Sequence, residues 1–226
     1  FNLPVFAVKK ANKVQLTNCG SLDMANGKDT NLAGWVPPIS LSAFGDPNFC
    51  KTYGINAAYY TGGMANAIAS ENMVITLAQN GWLSSSGSGG LSIEKLSQSI
   101  DIIQSAVGNR PYMVNLLHNP FEPEMERKTV EILLKKGVHL VEASAYIHLT
   151  PSLVQYRTAG LIERQNGEIQ IENHVIAKVS RREIALLFLK PAPENILNTL
   201  LKEGKISARQ SELAKKVPMA DDITVE

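Results

Sequence analysis

The chain of 226 residues carries 22 basic against 21 acidic side chains, a formal charge of +1, and 44% apolar residues. That is ample material for a core, and a balanced charge without a basic run excludes the electrostatic footprint of a nucleic-acid binder. No apolar stretch reaches transmembrane length, no signal-peptide pattern opens the chain, and Cys19 and Cys50 are too few for a disulfide scaffold, so a cytoplasmic protein with reduced thiols is expected.

Residues 1–20 alternate apolar and polar through Val5, Ala7, Val14 and Leu16, which predicts a hairpin. Residues 21–34 are polar and turn-rich and read as a loop. Pro37-Pro38 bars the Trp35–Leu41 segment from a central strand, and Phe44–Tyr53 reads as short and irregular. Residues 1–55 are expected to form a small N-terminal appendage.

Beyond it, strands and helices alternate. Strands are predicted at 57–61, 82–85, 111–116, 138–142 and 174–179. Helices are predicted at 70–80, 93–107, 123–136, 150–158 and 180–189. Ser70 and Ser92 suit the cap position, Thr150-Pro151 suits cap plus first helical residue, and Ser180 with Glu183 fits a capping box. Ile93, Leu96, Ile100, Ile103 and Val107 step by three and four, and Met125, Ile132 and Leu133 mark a face on the next helix. Asn166-Gly167 predicts a tight turn. After Pro191 and Pro193 come two amphipathic helices, 194–203 and 207–216, the second opened by a Ser207/Gln210 capping box. This pair interrupts the alternation, so 191–218 reads as an insertion, and a further strand starts at Ile223. The pattern predicts an α/β fold with a parallel sheet and right-handed crossovers. An open doubly wound sheet and a (β/α)₈ barrel fit it equally. No GxGxxG follows the first strand, which weighs against a Rossmann unit.

The chemistry centres on the stretch Ala58–Leu91. Gly62-Gly63-Met64 ends the first strand, where α/β proteins place ligands; it reads either as a backbone platform for a planar cofactor or as a turn with a core methionine. Gly87, Gly89 and Gly90 read either as a ligand-lining loop or as a flexible one, and the segment lacks the lysine of a P-loop. Asn115, in an apolar run, needs polar partners: a ligand's edge or a neighbouring loop. Glu142 and Lys178 stand near strand ends, where charged groups are rarely unpartnered. They pair with each other, or Lys178 faces an electron-rich ring and stabilises developing negative charge. His118, His139, His148 and His174 lack metal spacing. His118 and His148 follow strands on the ligand side and read either as substrate contacts or as loop residues.

Tyr59–Ser70, Gly81-Trp82-Leu83, Gly87–Leu91, Val175–Ser180 and Val217–Glu226 together carry a family pattern. From about Pro37 onward the sequence resembles the flavin-dependent, trans-acting enoyl reductases of polyketide and polyunsaturated fatty acid synthases. These are related to nitronate monooxygenases and to the flavin enoyl reductases of bacterial fatty acid synthesis. The resemblance implies a (β/α)₈ TIM barrel holding FMN at the C-terminal ends of its strands, of which this chain covers about the first six. On that frame 56–190 is the first part of the barrel, 191–218 a helical substrate lid after strand five, and 219–226 the start of strand six, the remainder lying outside this sequence.

The same resemblance lays Gly62, Gly63 and Met64 against the isoalloxazine and sets Asn115 and Lys178 on its polar edge, Lys178 near N1 and O2. Glu142 supports the pocket floor or pairs with Lys178. The implied reaction passes a hydride from NADPH (or NADH) through flavin N5 to the β-carbon of an enoyl thioester borne on an acyl carrier protein, with Lys178 in an electrostatic catalytic role. The family's proton-donor histidine and its FMN phosphate site lie beyond Glu226, so these residues alone are expected to hold FMN poorly. The implied partners are the carrier protein, a polyketide synthase complex and the missing C-terminal part, with a homodimer also compatible; no metal, nucleic acid or membrane partner is expected. Two competing readings are a nitronate monooxygenase-like flavin oxidase and a non-catalytic carrier-protein docking module.

Overall fold

The computed structural model describes residues 3–20 and 31–225. The chain divides into two compact units, Phe1–Ala58 and Tyr59–Glu226. In the first, β1 (Val5–Lys10) lies between β2 (Lys13–Thr17) and β3 (Leu32–Val36) in an antiparallel sheet. The expected hairpin is present. Part of the 21–34 segment lies outside the described residues, but Leu32–Val36 is a strand and not loop. It lies at the sheet edge and stops before Pro37-Pro38, as ring-locked residues without an N–H require. Phe44–Tyr53 is also more regular than expected. Asp46 accepts a hydrogen bond from the Asn48 N–H, Pro47 takes the first helical position, and α1 (Pro47–Tyr53) ends on Gly54 at φ 65°.

The second unit runs β4 (Tyr60–Thr61), α2 (Glu71–Gln79), β5 (Leu83–Ser86), α3 (Ile93–Val107), β6 (Met113–Leu117), α4 (Pro123–Lys135), β7 (Leu140–Ser144), α5 (Pro151–Ala159), β8 (Leu161–Glu163), β9 (Ile169–Ile171), β10 (His174–Val179), α6 (Arg182–Phe188), α7 (Glu194–Lys202), α8 (Ala208–Ala214) and β11 (Asp222–Val225). β8 and β9 pair through the Asn166-Gly167 turn. The other strands form one parallel sheet in the order β4-β5-β6-β7-β10-β11. Strand order therefore follows chain order without reversal. A doubly wound sheet reverses at its switch point, whereas a barrel wall does not. The Tyr60 hydroxyl donates to Thr224 Oγ1 at 3.0 Å, from the first strand of the sheet to the last, so the sheet is curled into part of a barrel.

The two faces of that sheet differ in chemistry. Val114, Leu116, Val141, Ala143, Val175, Ala177 and Val179 join the main core with side chains of the helical layer such as Leu133, Leu153 and Phe188. Alternation sends the intervening residues to the concave side. On α3 Leu96, Ile100, Ile103 and Val107 are buried as predicted, and Ile93 is half-buried. On α4 the buried face is Glu126, Thr129, Val130 and Leu133, while Met125 stays partly exposed. The Ser207/Gln210 capping box is formed. The Ser180/Glu183 box is not: Arg181 occupies the cap of α6, and among the described residues no side chain caps it. No helix among the described residues is long and apolar enough to cross a membrane.

Candidate functional site

Parallel register sorts the concave face into rows. Asn115 lies beside Glu142, and Glu142 beside Ile176. One step further along, Leu117, Ser144, Lys178 and Thr224 stand side by side at the C-terminal ends of β6, β7, β10 and β11. Since Ala177 and Val179 face the helices, Lys178 faces the concave side, half-buried.

Glu142 is the hub. It is completely buried, and its Oε2 accepts from the Gly63 N–H at 2.6 Å and from Asn115 Nδ2 at 3.0 Å. Asn115 Nδ2 also lies 2.8 Å from Ser144 Oγ and 3.3 Å from the Glu142 carbonyl. The loop after β4 is thus tied to β6 and β7 through one carboxylate. Glu142 Oε1 and Ser85 Oγ are buried without a hydrogen-bond partner among the described residues. A buried polar atom in that state is an invitation to a ligand or an ordered water.

The glycines have a local explanation. A Cβ on Gly63 would stand 2.6 Å from Asn115 Cβ, and one on Gly62 would stand 2.9 Å from Glu142 Oε1. A Cβ on Gly87 would meet the Met64 carbonyl oxygen at 1.8 Å. The 62–69 and 87–90 loops interlock, with Gly87 N–H donating to the Ala69 carbonyl and Asn66 N–H to that of Gly89. Gly87 is glycine because a neighbouring backbone passes against it, while Gly89 and Gly90 of the same loop line a cavity. The structure therefore brings Gly62, Gly63, Asn115 and Glu142 into contact and sets Lys178 on the same face, while the Met64 side chain remains partly exposed.

A second polar cluster escaped sequence reasoning. Glu126 of α4 accepts from the Tyr146 hydroxyl at 3.1 Å and from the Thr150 hydroxyl on Oε1, and its Oε2 lies 2.8 Å from His118 Nδ1. All four residues are buried. His118 stacks on Tyr146, and its Nε2 is buried without a partner among the described residues. With Glu126 accepting on both oxygens, Nδ1 is the protonated ring nitrogen. Burial, then the Glu126 charge, pushes the Tyr146 hydroxyl well above its ordinary pKa. At the opposite ends of the strands Asp221 holds Arg157 through two bonds of 2.7 and 2.9 Å and accepts from the Val175 N–H and from His174. Burial alone raises this carboxyl, but the His174 bond and the Arg157 bonds and charge outweigh it and hold the group at about 2. No cluster that could hold a metal occurs among the described residues.

The helical pair α7–α8 of the 191–218 insertion packs against α5 and β8. Leu197, Leu200, Leu213 and Ala214 enter the core beside α5, Gln210 Nε2 donates to the Ala159 carbonyl, and Arg209 pairs with Glu163 of β8.

No family model matches the chain. It is 46% identical over 204 residues to a polyunsaturated fatty acid synthase component of Thraustochytrium sp., covering 90% of this chain and 13% of that protein. It is 43% identical over 189 residues to the polyketide biosynthesis protein PksE of Bacillus subtilis, covering 83% of this chain and 25% of that protein. The crystal structure of the enoyl reductase domain of MlnA, from the macrolactin biosynthesis cluster of Bacillus amyloliquefaciens, matches with a TM-score of 0.80 at 34% identity, over 83% of this chain and 43% of that one. The chain spans at most a quarter of the length of these two curated relatives and under half of the solved domain. A curled parallel sheet with a polar concave face at its strand ends, superposing on that domain, defines an enoyl-reductase-like α/β unit. Its relatives are components of polyunsaturated fatty acid and polyketide synthesis and its structural neighbour is an enoyl reductase domain, which bears out the resemblance read in the sequence.

Proposed function

We propose that the chain forms part of an FMN-dependent enoyl reductase acting on an α,β-unsaturated acyl thioester carried by an acyl carrier protein. The observation that carries this reading is the concave strand-end row: Gly62-Gly63 backbone drawn flush onto Asn115 and Glu142, with Lys178 on the same face. The unpartnered Glu142 Oε1 and Ser85 Oγ are what a polar ligand edge would satisfy, so the residues present fit a flat heterocycle with hydrogen-bonding edges. FMN, when bound, supplies a hydride relay from NADPH or NADH to the thioester's β-carbon. The protein's own part is positional and electrostatic. Glu142 fixes the Gly63 loop, Asn115 is oriented by Glu142 and Ser144, and the Lys178 ammonium stabilises negative charge arising at the ring's polar edge.

The test is spectral. The full-length protein is expected to show flavin absorbance, to bleach anaerobically with NADPH, and to recover colour on addition of a crotonyl thioester. Colourless full-length protein sinks the proposal and supports a non-catalytic docking module. Recovery with a nitronate but not with the thioester assigns the site to the oxidase instead. Lys178→Met is expected to lower the rate of flavin reduction about a hundredfold, the magnitude typical for loss of one preorganised electrostatic group.

A further inference from the structure

A cavity of about 340 Å³ opens between the Ser88–Ser92 turn and the first two turns of α4. Its chemistry is selective. Leu91, Leu96, Leu117 and Met125 supply apolar wall; Ser88, Ser92, Asn119 and Thr129 supply neutral polar groups. The ionisable lining residues are Glu122 and Glu126, and no lysine or arginine lines it among the described residues. Glu126 is 4% exposed, and its oxygens are committed to His118, Tyr146 and Thr150, so it forms a fixed negative back wall.

Such a wall repels phosphate and therefore the diphosphate of a nicotinamide dinucleotide. It suits an uncharged, narrow chain that alternates amides or hydroxyls with methylenes. One lining residue bonds to the site described above: Ser88 Oγ donates at 2.6 Å to the carbonyl of Asn115, the residue that shares Glu142 with Gly63. Between the lining residues Asn119 and Glu122, Phe121 is 91% exposed, set in a turn where Asn119 Oδ1 accepts from its N–H. An aromatic left that open next to a cavity mouth is placed for a covering ligand or its carrier.

We propose that this cavity seats the pantetheine arm of the substrate, with the thioester end directed toward Asn115 and the carrier-proximal end at the Phe121 rim. The assignment rests on the reductase reading for why such an arm arrives, but its test does not use flavin or turnover. D-pantetheine titrated into the full-length protein, followed by ligand-observed NMR, is expected to bind saturably. N-acetylcysteamine, which keeps only the thiol-proximal amide, is expected to bind at least tenfold more weakly. Thr129→Leu, which fills the interior, and Met125→Phe, which narrows the mouth, are each expected to weaken pantetheine at least tenfold. Hydrogen exchange on the wild-type protein gives a readout free of any folding defect in a variant: saturating pantetheine is expected to slow amides of 88–92 and 122–129. No saturable binding, variants that bind like the wild type, or protection confined to other segments overturns the assignment. Pantetheine binding in a protein that takes up no flavin sinks the reductase reading and leaves the cavity assigned; enoyl turnover with no pantetheine binding overturns the cavity alone.

Discussion

Glu142 has no bulk solvent to fall back on, and two donors depend on it. Removing its carboxylate takes the acceptor from the part-buried Gly63 N–H, at a cost of about 1–3 kcal/mol, while Asn115 Nδ2 keeps Ser144 Oγ and the Glu142 backbone carbonyl. Glu142→Ala is therefore expected to lower the urea midpoint without changing the slope, and Glu142→Gln, which keeps an acceptor, to lower it less. Asp221 offers a pH test at the same scale. Its folded value of about 2 lies below the ordinary carboxylate value, so its stabilisation is complete above about pH 4 and drains away as pH falls toward 2; a shift of this size is worth about 2 kcal/mol. Asp221→Asn is expected to flatten the stability profile over that window. It is also expected to cost about 3–5 kcal/mol at neutral pH, because the buried Arg157 charge loses its partner. Equal pH profiles for the variant and the wild type would falsify this assignment.

Among the elements, α7 and α8 carry the clearest consequence. They read as an insertion, and Leu197 and Leu200 are fully buried in the same cluster as Leu153 and Tyr156 of α5. Leu197→Ala is expected to destabilise the fold by about 2–5 kcal/mol, the range for a buried leucine truncation, and thermal unfolding by circular dichroism measures it. A helical pair that behaved as a removable cover would show almost no change. The α4 helix makes a complementary point. Its buried face includes Glu126, which sequence reasoning had no ground to place inside. Burial is permitted there because three donors from the loops after β6 and β7 converge on the carboxylate. A period-3.6 reading weighted by hydrophobicity finds Leu133 but passes over a buried acid whose partners are distant in sequence.

For the molecule as a whole, the hydrogen bond from Tyr60 to Thr224 spans 164 positions of chain and the full width of the sheet. Burial, the largest influence, raises the Tyr60 hydroxyl pKa, with the Thr224 bond opposing it and the Glu142 charge adding to it, so the group remains a donor at neutral pH. Tyr60→Phe is expected to cost about 0.5–1.5 kcal/mol. It is also expected to speed amide exchange in β4 and β11 more than in β6 and β7, as hydrogen-exchange mass spectrometry would report.

Much of this architecture is legible from local signals. Ser70, Ser92 and Ser207 cap their helices because a side-chain oxygen within three residues suffices, and the apolar strands follow from composition. Asn115, Glu142 and Lys178 stand out in the sequence because they are polar residues in apolar strands. What the linear pattern leaves open is barrel wall against doubly wound sheet, since both share the same alternation. Strand order alone separates them, and it is set by pairing between segments that no local propensity encodes. The same holds for the Glu126 cluster, the interlocked glycine loops and the packing of α7–α8 against α5. Local sequence determines where the backbone's own hydrogen bonds close; only the folded chain decides which distant donors a buried carboxylate meets.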